Sequence, residues 1–329
     1  MMKPSLSSLV VLAAALAPWN VEAFTVGPSS PSSKLYHADV TKTATTIPRP
    51  AFLSSVQQKR RSTAIFMGWG PDPIWSKCTI SSNAPACPSA SCVSVSVEIP
   101  ADVAAEYKVP GQYVQVRPEG DDNAQPIFLA IASPPTAGAD EAAGPTSTTF
   151  EFLIKKTDNN DWITDIAPSA CVDVSQVLGN GFPTAENMEG FKYDFPTQNV
   201  LLFASGSGIA PIRAAIESGQ MGVNPPGKGG RTARLYYGVS TPGDMPYAEK
   251  FAQWEMAGFQ VVPVVSRPED AKQEWLGRTG YVQNALEEDG VPVPRNSAAL
   301  LCGVKGMVES VKDLLSNAGV FEGRIMTNF

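Results

Sequence analysis

Residues 200–213, VLLFASGSGIAPIR, constrain this chain more than any other stretch. Val200, Leu201, Leu202, Phe203 and Ala204 run without polar alternation, which is the pattern of a parallel strand buried on both faces. Ser205, Gly206, Ser207 and Gly208 then read as a turn with two glycines. An apolar helical run begins at Ile209 and Ala210, with Pro211 in its first turn, where a missing N–H costs nothing. Such a strand, turn and helix start leaves N–H groups free to hold a phosphate, and glycine lets the backbone approach it closely. The pattern is G-x-G-x-x-P. Taken alone, it serves a purely structural βα turn equally well.

The text on either side of residue 195 changes character. Residues 74–195 read as all-β. CVSVSVEI at 92–99 alternates cleanly, and 112–116, 128–132, 149–154 and 171–177 supply further short strands. Pro and Gly turns and an Ala/Gly-rich loop at 136–144 separate them. Short strands of this kind predict an antiparallel, six-stranded barrel, five of whose strands are placed here. From residue 200 onward strands alternate with helices. Strands are expected at 200–204, 234–239, 260–265, 298–302 and 324–327, and helices at 210–218, 248–256, 281–287 and 305–318. That alternation predicts a doubly wound parallel sheet with ligands at the carboxyl ends of its strands. The expected fold class is therefore β plus α/β.

The N-terminus reads as an address. Residues 9–17 form an apolar stretch too short to span a membrane, placed after Lys3 and before Val21-Glu22-Ala23, as in a secretory signal. Residues 24–66 are rich in Ser, Thr and Pro, and hold six basic residues against the single acid Asp39. Expected segments are a signal peptide at 1–23, a transit peptide at 24–66, a barrel domain at 67–195 and a nucleotide domain at 196–329. A signal joined to a transit peptide resembles the bipartite plastid presequence of algae with secondary plastids. A secreted protein with a basic linker is the other reading.

Seven of the 25 basic and two of the 32 acidic residues precede Met67, which leaves 18 against 30, a net of −12. So acidic a body argues against nucleic acid or an anionic membrane as partner, and suits acidic ferredoxin poorly. The only histidine, His37, lies in the presequence, so the remainder has no Ser-His-Asp or Cys-His catalysis and no His-ligated metal site. Cys78, Cys87, Cys92, Cys171 and Cys302 match no zinc or iron–sulfur spacing. The first three are near enough in sequence for a redox pair, although free thiols suit a reducing compartment.

A second motif lies roughly ninety residues beyond the first: LLCGVKGM at 300–307, a buried strand ending in Cys302-Gly303 ahead of a helix. The pair GSGIAPIR and CGxxxM, with LYYGV at 235–239, VVPVVSRP at 261–268 and GYVQNAL at 280–286, resembles the nicotinamide-dinucleotide domain of the ferredoxin–NADP reductase superfamily. The likeness is greatest to a plant-type group of reductase homologues. By that resemblance, Gly206, Ser207, Gly208, Ile209, Ala210 and Pro211 cradle a dinucleotide pyrophosphate. Gly238, Gly303 and Met307 border the same site. Cys302 lies beside the nicotinamide and the hydride path, or is simply a buried strand end. Ser266 and Arg267 stand where relatives hold the 2′-phosphate of NADP(H), though NAD(H)-dependent relatives also carry Ser-Arg-Pro there. Arg278 adds charge nearby.

The barrel half fits the resemblance less well. PGQYVQV at 110–116 and Ile131-Ala132-Ser133-Pro134 match it. The R-x-Y-S positions, which in the family hold FAD, are here Ile127, Leu129 and Ala130. The Gly-x-x-Ser/Thr phosphate turn is replaced by Asp158-Asn159-Asn160-Asp161 ahead of a helix at 162–166, with Asn160 or Asp161 as its N-cap. A carboxylate about 4 Å from a pyrophosphate costs on the order of 4 kcal/mol at an effective dielectric near 20. Any FAD here would rest on Phe128 in place of the tyrosine, with Leu129, Ala130 and Ser133 beside it. Phe329 reads as the end of the edge strand, or as an aromatic covering the flavin. Two functions follow: an NAD(P)H-dependent flavin oxidoreductase with an unknown electron acceptor, or a flavin-free NAD(P)-binding regulatory or assembly protein.

Overall fold

The computed structural model describes residues 72–135, 148–189, 193–225, 227–270 and 274–328, all within one compact unit, Ile65–Phe329. The presequence, the loop at 136–144 and Phe329 lie outside the described residues.

The first sheet has six strands: β1 (Trp75–Pro85), β2 (Cys92–Glu98), β3 (Tyr113–Pro118), β4 (Ile127–Ala130), β5 (Thr149–Lys155) and β6 (Cys171–Ser175). All pairings are antiparallel, in the order β4-β3-β6-β1-β2-β5. A bridge between Ile131 and Phe152 brings the two edges together and nearly closes a barrel. Val95, Val97, Val114, Val116, Phe152, Val172 and Val174 fill its interior. Sequence patterning missed β1, because only Cys78 and Ile80 of its eleven residues are buried and a bulge between Ile80 and Ser82 breaks its period. Three short helices decorate the barrel: α1 (Ala101–Glu106), α2 (Asp161–Thr164) and α3 (Thr184–Met188).

The second sheet is wholly parallel. It comprises β7 (Asn199–Ser205), β8 (Thr232–Val239), β9 (Phe259–Val265), β10 (Arg278–Thr279), β11 (Ser297–Cys302) and β12 (Ile325–Thr327), in the order β10-β9-β8-β7-β11-β12. Helices α4 (Ile209–Glu217) and α5 (Phe251–Met256) cover one face, and α6 (Val282–Asp289) and α7 (Lys305–Ala318) cover the other. The unbroken apolar run of β7 follows from this sandwich. Val200, Leu202 and Ala204 join the α4 side, while Leu201 and Phe203 join the α7 side. The expected helix at 248–256 begins as a 3₁₀ turn and becomes α-helical only at Phe251.

Strand β7 lies between β8 and β11, so the connections leaving β7 and β11 run to opposite faces of the sheet. That is a topological switch point, where a crevice opens beyond the carboxyl ends of the strands. The barrel packs against the α4 face there, sharing Ala132, Leu153 and Phe182 with its core.

Candidate nucleotide and ring site

The turn after β7 is one 3₁₀ turn, Gly206–Gly208, running directly into α4 with no side-chain cap. The Ile209 N–H bonds back to the Gly206 and Ser207 carbonyls, so the 3₁₀ turn, with no side chain over it, is the end of the helix that an anion would meet. Gly206 has φ +54° with open space around it, whereas Gly208 is packed so tightly that an added Cβ would stand 2.3 Å from the Cys302 carbonyl oxygen. A Cβ on Gly303 would strike the Ser205 hydroxyl and the Met307 side chain. The two turns are also tied chemically, since Val304 N–H donates to Ser205 Oγ at 2.9 Å. Ser205, which motif spacing did not single out, knits the two halves of the site together. Tyr237 supports the turn, its hydroxyl donating to the Gly206 carbonyl at 3.3 Å.

A single cavity of about 1040 Å³ opens over these turns and extends to the barrel. Gly206, Ser207, Gly208, Ala210, Pro211, Gly238, Ser266, Arg267, Cys302, Gly303 and Met307 line it on the sheet side. Phe128, Leu129 and Ala130 line it on the barrel side. Two expected residues are not in its wall. Ile209 is fully buried beneath the turn. Ser133 is engaged within the barrel, its Oγ accepting from Glu151 N–H and its carbonyl from Tyr107 OH. The wall also contains Tyr113, Lys155, Ser240, Asp244, Tyr281 and Gln283.

Cys302 is 5 % exposed, and burial pushes its thiol up to about 12. It is a neutral, compact wall element. Arg267 is 59 % exposed and lies 3.5 Å from Asp270, so its guanidinium is available at the cavity rim but shared. Arg278 differs from its expected role: it donates to the Ala285 carbonyl and pairs with Asp289, which also binds Arg234 and Tyr236. Its charge is consumed on the α6 side.

The barrel wall has two contrasting faces. Ile127 and Leu129 pack onto the barrel core, while Phe128 is 52 % exposed. Tyr113 lies diagonally across from Phe128 in the β3–β4 register, with ring centroids 5.8 Å apart. Asn160 occupies the position before α2 but makes no cap. Its amide donates to the Lys155 carbonyl and accepts from Thr157 N–H, and Asp161 sits in the first turn. The side-chain fit is therefore split. Gly206, Gly208 and Gly303 suit a pyridine nucleotide. Phe128 and Tyr113 suit a planar ring, but β4 carries no cation and the α2 turn no glycine, so the residues present do not fit the diphosphate of FAD.

Two contacts fix barrel against sheet beside the cavity. Arg213 of α4 donates to Glu151 of β5 and at 3.1 Å to Glu217, with its guanidinium over the Tyr247 ring. Burial raises the Glu151 carboxyl, but Arg213 more than offsets this and holds it below its usual range. At the other contact Ser89 and Ser91 of the β1–β2 turn donate to Asp244 at 2.7 and 2.8 Å. The same hydroxyls approach Cys87 and lower its thiol despite burial. All five cysteines are unpaired. No helix among the described residues is long and apolar enough to cross a membrane.

Comparison with known proteins agrees with this geometry. Residues 202–313 match the oxidoreductase NAD-binding domain family. Fruit protein pKIWI502 of Actinidia deliciosa is 34 % identical over 260 residues, 77 % of this chain and 76 % of that protein. The chloroplastic ferredoxin–NADP reductase of Mesembryanthemum crystallinum is 26 % identical over 228 residues, covering 65 % of this chain and 60 % of its own length. Among solved structures, a ferredoxin NADP+ reductase from Neisseria gonorrhoeae with bound FAD and NADP superposes with TM-score 0.60 at 16 % identity, over 77 % of this chain and 97 % of that one.

Proposed function

This chain belongs to the ferredoxin–NADP reductase superfamily of pyridine-nucleotide oxidoreductases, and we propose that it binds NADPH or NADH over the Gly206 and Gly303 turns and delivers hydride to an acceptor seated against Phe128. The observation that carries this reading is the junction of the two turns at the switch point, with Ser205 bonded across to Val304. A reduced nicotinamide, when bound, supplies a hydride and needs no protein base to release it. The protein's work is positioning. The uncapped start of α4 meets the pyrophosphate. Arg267 stands at the rim for a 2′-phosphate, which favours NADP(H). Cys302, neutral and small, leaves room for a ring and holds no charge beside it. Phe128 and Tyr113 form the opposite wall.

The test is to follow NADPH and NADH oxidation at 340 nm with ferricyanide, with and without added flavin. Nucleotide-dependent turnover supports the reading, and its absence with retained nucleotide binding supports the second reading, a flavin-free NAD(P)-binding regulatory or assembly protein. The packing of Ile127 and Leu129 onto the barrel core favours that alternative. The acid-poor residues 24–66 and the likeness to a chloroplastic reductase support a plastid location.

A further inference from the structure

We propose that Cys87 and Cys92 form a redox-active dithiol whose oxidant is a hydroperoxide, with Cys87 as the attacking sulfur and Cys92 as the resolving one. Neither thiol takes part in the hydride transfer proposed above.

Of the three thiols near one another in sequence, the fold brings two together. Cys78 belongs to the barrel core, whereas Cys87 and Cys92 share the cluster between barrel and sheet. The chain doubles back between them. Ala86 N–H donates to the Cys92 carbonyl and Ala90 N–H to the Cys87 carbonyl, each at 2.9 Å. The Cys87 sulfur lies 3.5 Å from Ser91 Oγ, and the Cys92 thiol reaches the same hydroxyl. One small group is thus within reach of both sulfurs.

The two thiols differ in kind. Burial raises Cys87, but Ser89 Oγ at 3.3 Å, Ser91 Oγ and the Cys92 N–H outweigh it and leave the thiol below its usual range. Burial pushes Cys92 up to about 11. Cys87 is therefore the one that supplies thiolate. Asp244 orients its hydroxyl partners. Ser89 and Ser91 donate to Asp244 Oδ1 at 2.7 and 2.8 Å, and Thr241 donates to Oδ2 at 2.9 Å. One serine can turn its proton to the sulfur while the carboxylate keeps two donors. Cys87 is 8 % exposed, but Pro88, Ser89 and Ala90 beside it are exposed, and Ser91 and Cys92 lie in the cavity wall. Hydrogen peroxide is little larger than water, so it suits such a site better than a bulky disulfide would.

Atoms and electrons balance. The Cys87 thiolate attacks one peroxide oxygen, the O–O bond breaks, and the departing oxygen takes a solvent proton. The Cys92 sulfur then attacks the sulfenic acid: an S–S bond forms, the S–O bond breaks, and the Cys92 proton leaves with that oxygen as water. The two thiols lose two electrons and the peroxide gains them.

The experiment treats the full purified, reduced chain with hydrogen peroxide, stops samples with an alkylating reagent in denaturant, and maps each cysteine by peptide mass spectrometry. The Cys87–Cys92 disulfide is expected at least about tenfold faster than oxidation of Cys171, the most exposed of the five thiols, and dithiothreitol should reverse it. Cys92→Ser should stop at a sulfenic acid on Cys87, trapped by dimedone. Cys171→Ser should leave the rate of the pair unchanged. Oxidation of Cys171 ahead of the pair overturns the proposal, as does absence of a bond between Cys87 and Cys92. A Cys87→Ser variant whose Cys92 is oxidised as fast as the wild-type pair overturns the assignment of the attacking sulfur. The wild-type map stands without any variant, so a variant that fails to fold leaves the outcome decided.

Discussion

Gly208 and Cys302 lie in van der Waals contact across the switch point: a Cβ on Gly208 would stand 2.3 Å from the Cys302 carbonyl oxygen and 2.6 Å from its carbonyl carbon. The turn that starts α4 is thereby set on the end of β11, and the two motifs, some ninety residues apart in sequence, become one floor. Gly206, two residues earlier, has open space instead. The two glycines thus have separable roles, one in packing and one in leaving room.

Replacing each by alanine should separate those roles. Gly208→Ala forces backbone to move and should lower stability by several kcal/mol, in the manner of other overpacked cores. Gly206→Ala meets no atom and costs only its left-handed φ, about 1–2 kcal/mol. Chemical denaturation of both variants checks the order.

Cys302 should be inert as a nucleophile. Its thiol is pushed up to about 12 by burial, so alkylation by iodoacetamide at pH 8 should be far slower than at an unfolded thiol. Cys302→Ala should preserve nucleotide affinity within a few-fold. The same burial sets an alkaline limit. A thiol whose folded pKa lies above its unfolded value near 8.5 contributes stability that is whole below that value and is lost as pH rises towards 12. Cys78, raised to about 12, and Cys92, raised to about 11, act in the same direction. Thermal midpoints should fall above pH 9, and less steeply in Cys302→Ala.

The Arg213–Glu151 contact couples barrel to sheet, with Arg213 7 % exposed. Arg213→Met leaves the largely buried Glu151 without its cation, while Glu217 keeps Lys250 at 3.1 Å, and should cost about 3 kcal/mol. Glu151 and Asp244 are both held below the ordinary carboxylate range, each by donors that outweigh burial. Their stability is whole above the unfolded values near 4 and is lost as pH falls through the lower folded values. Acid unfolding should therefore begin below pH 4 in the wild type. In the double variant Arg213→Met/Asp244→Asn it should begin from a lower baseline with a shallower slope. Circular dichroism across pH 2–7 reads both.

At the rim, Arg267 stands 3.5 Å from Asp270 and both are more than half exposed. Arg267→Ala should raise the dissociation constant for NADPH roughly tenfold, the loss of one charge-assisted bond, and leave NADH nearly unchanged. Asp270→Asn should tighten NADPH by a few-fold. Parallel titrations with the two nucleotides check both.

The sheet domain was legible because its residues obey two simple constraints at once. Val200, Leu202 and Ala204 bury one way, Leu201 and Phe203 the other, so β7 shows as an unbroken run. The helix at Lys305–Ala318 matched its expected span because its apolar residues Met307, Val311 and Leu315 recur every four residues. Strand β1 was not legible: its polar face meets solvent and its bulge disrupts the period. Phe128 was identifiable as the barrel aromatic because it neighbours the Ile131-Ala132-Ser133-Pro134 match. Its partner Tyr113 was not, since the pairing register that brings them together is not written in either strand. Ser205 and Asp244 act through bonds spanning 99 and 153 residues, which no local pattern reveals. Arg278 is taken up by Asp289 at the far end of α6, a nearer pairing that its motif neighbours do not show.

The measurement that bears most directly on the central claim is an equilibrium titration of the purified protein with NADPH and NADH, followed by nucleotide fluorescence, in wild type and Gly206→Ala. One saturable site per chain in the wild type, weakened at least roughly tenfold in Gly206→Ala while the thermal midpoint moves only slightly, is the predicted result. A wild-type protein that binds neither nucleotide, or a Gly206→Ala variant that binds both as the wild type does, would contradict a nucleotide site built on the Gly206 and Gly303 turns.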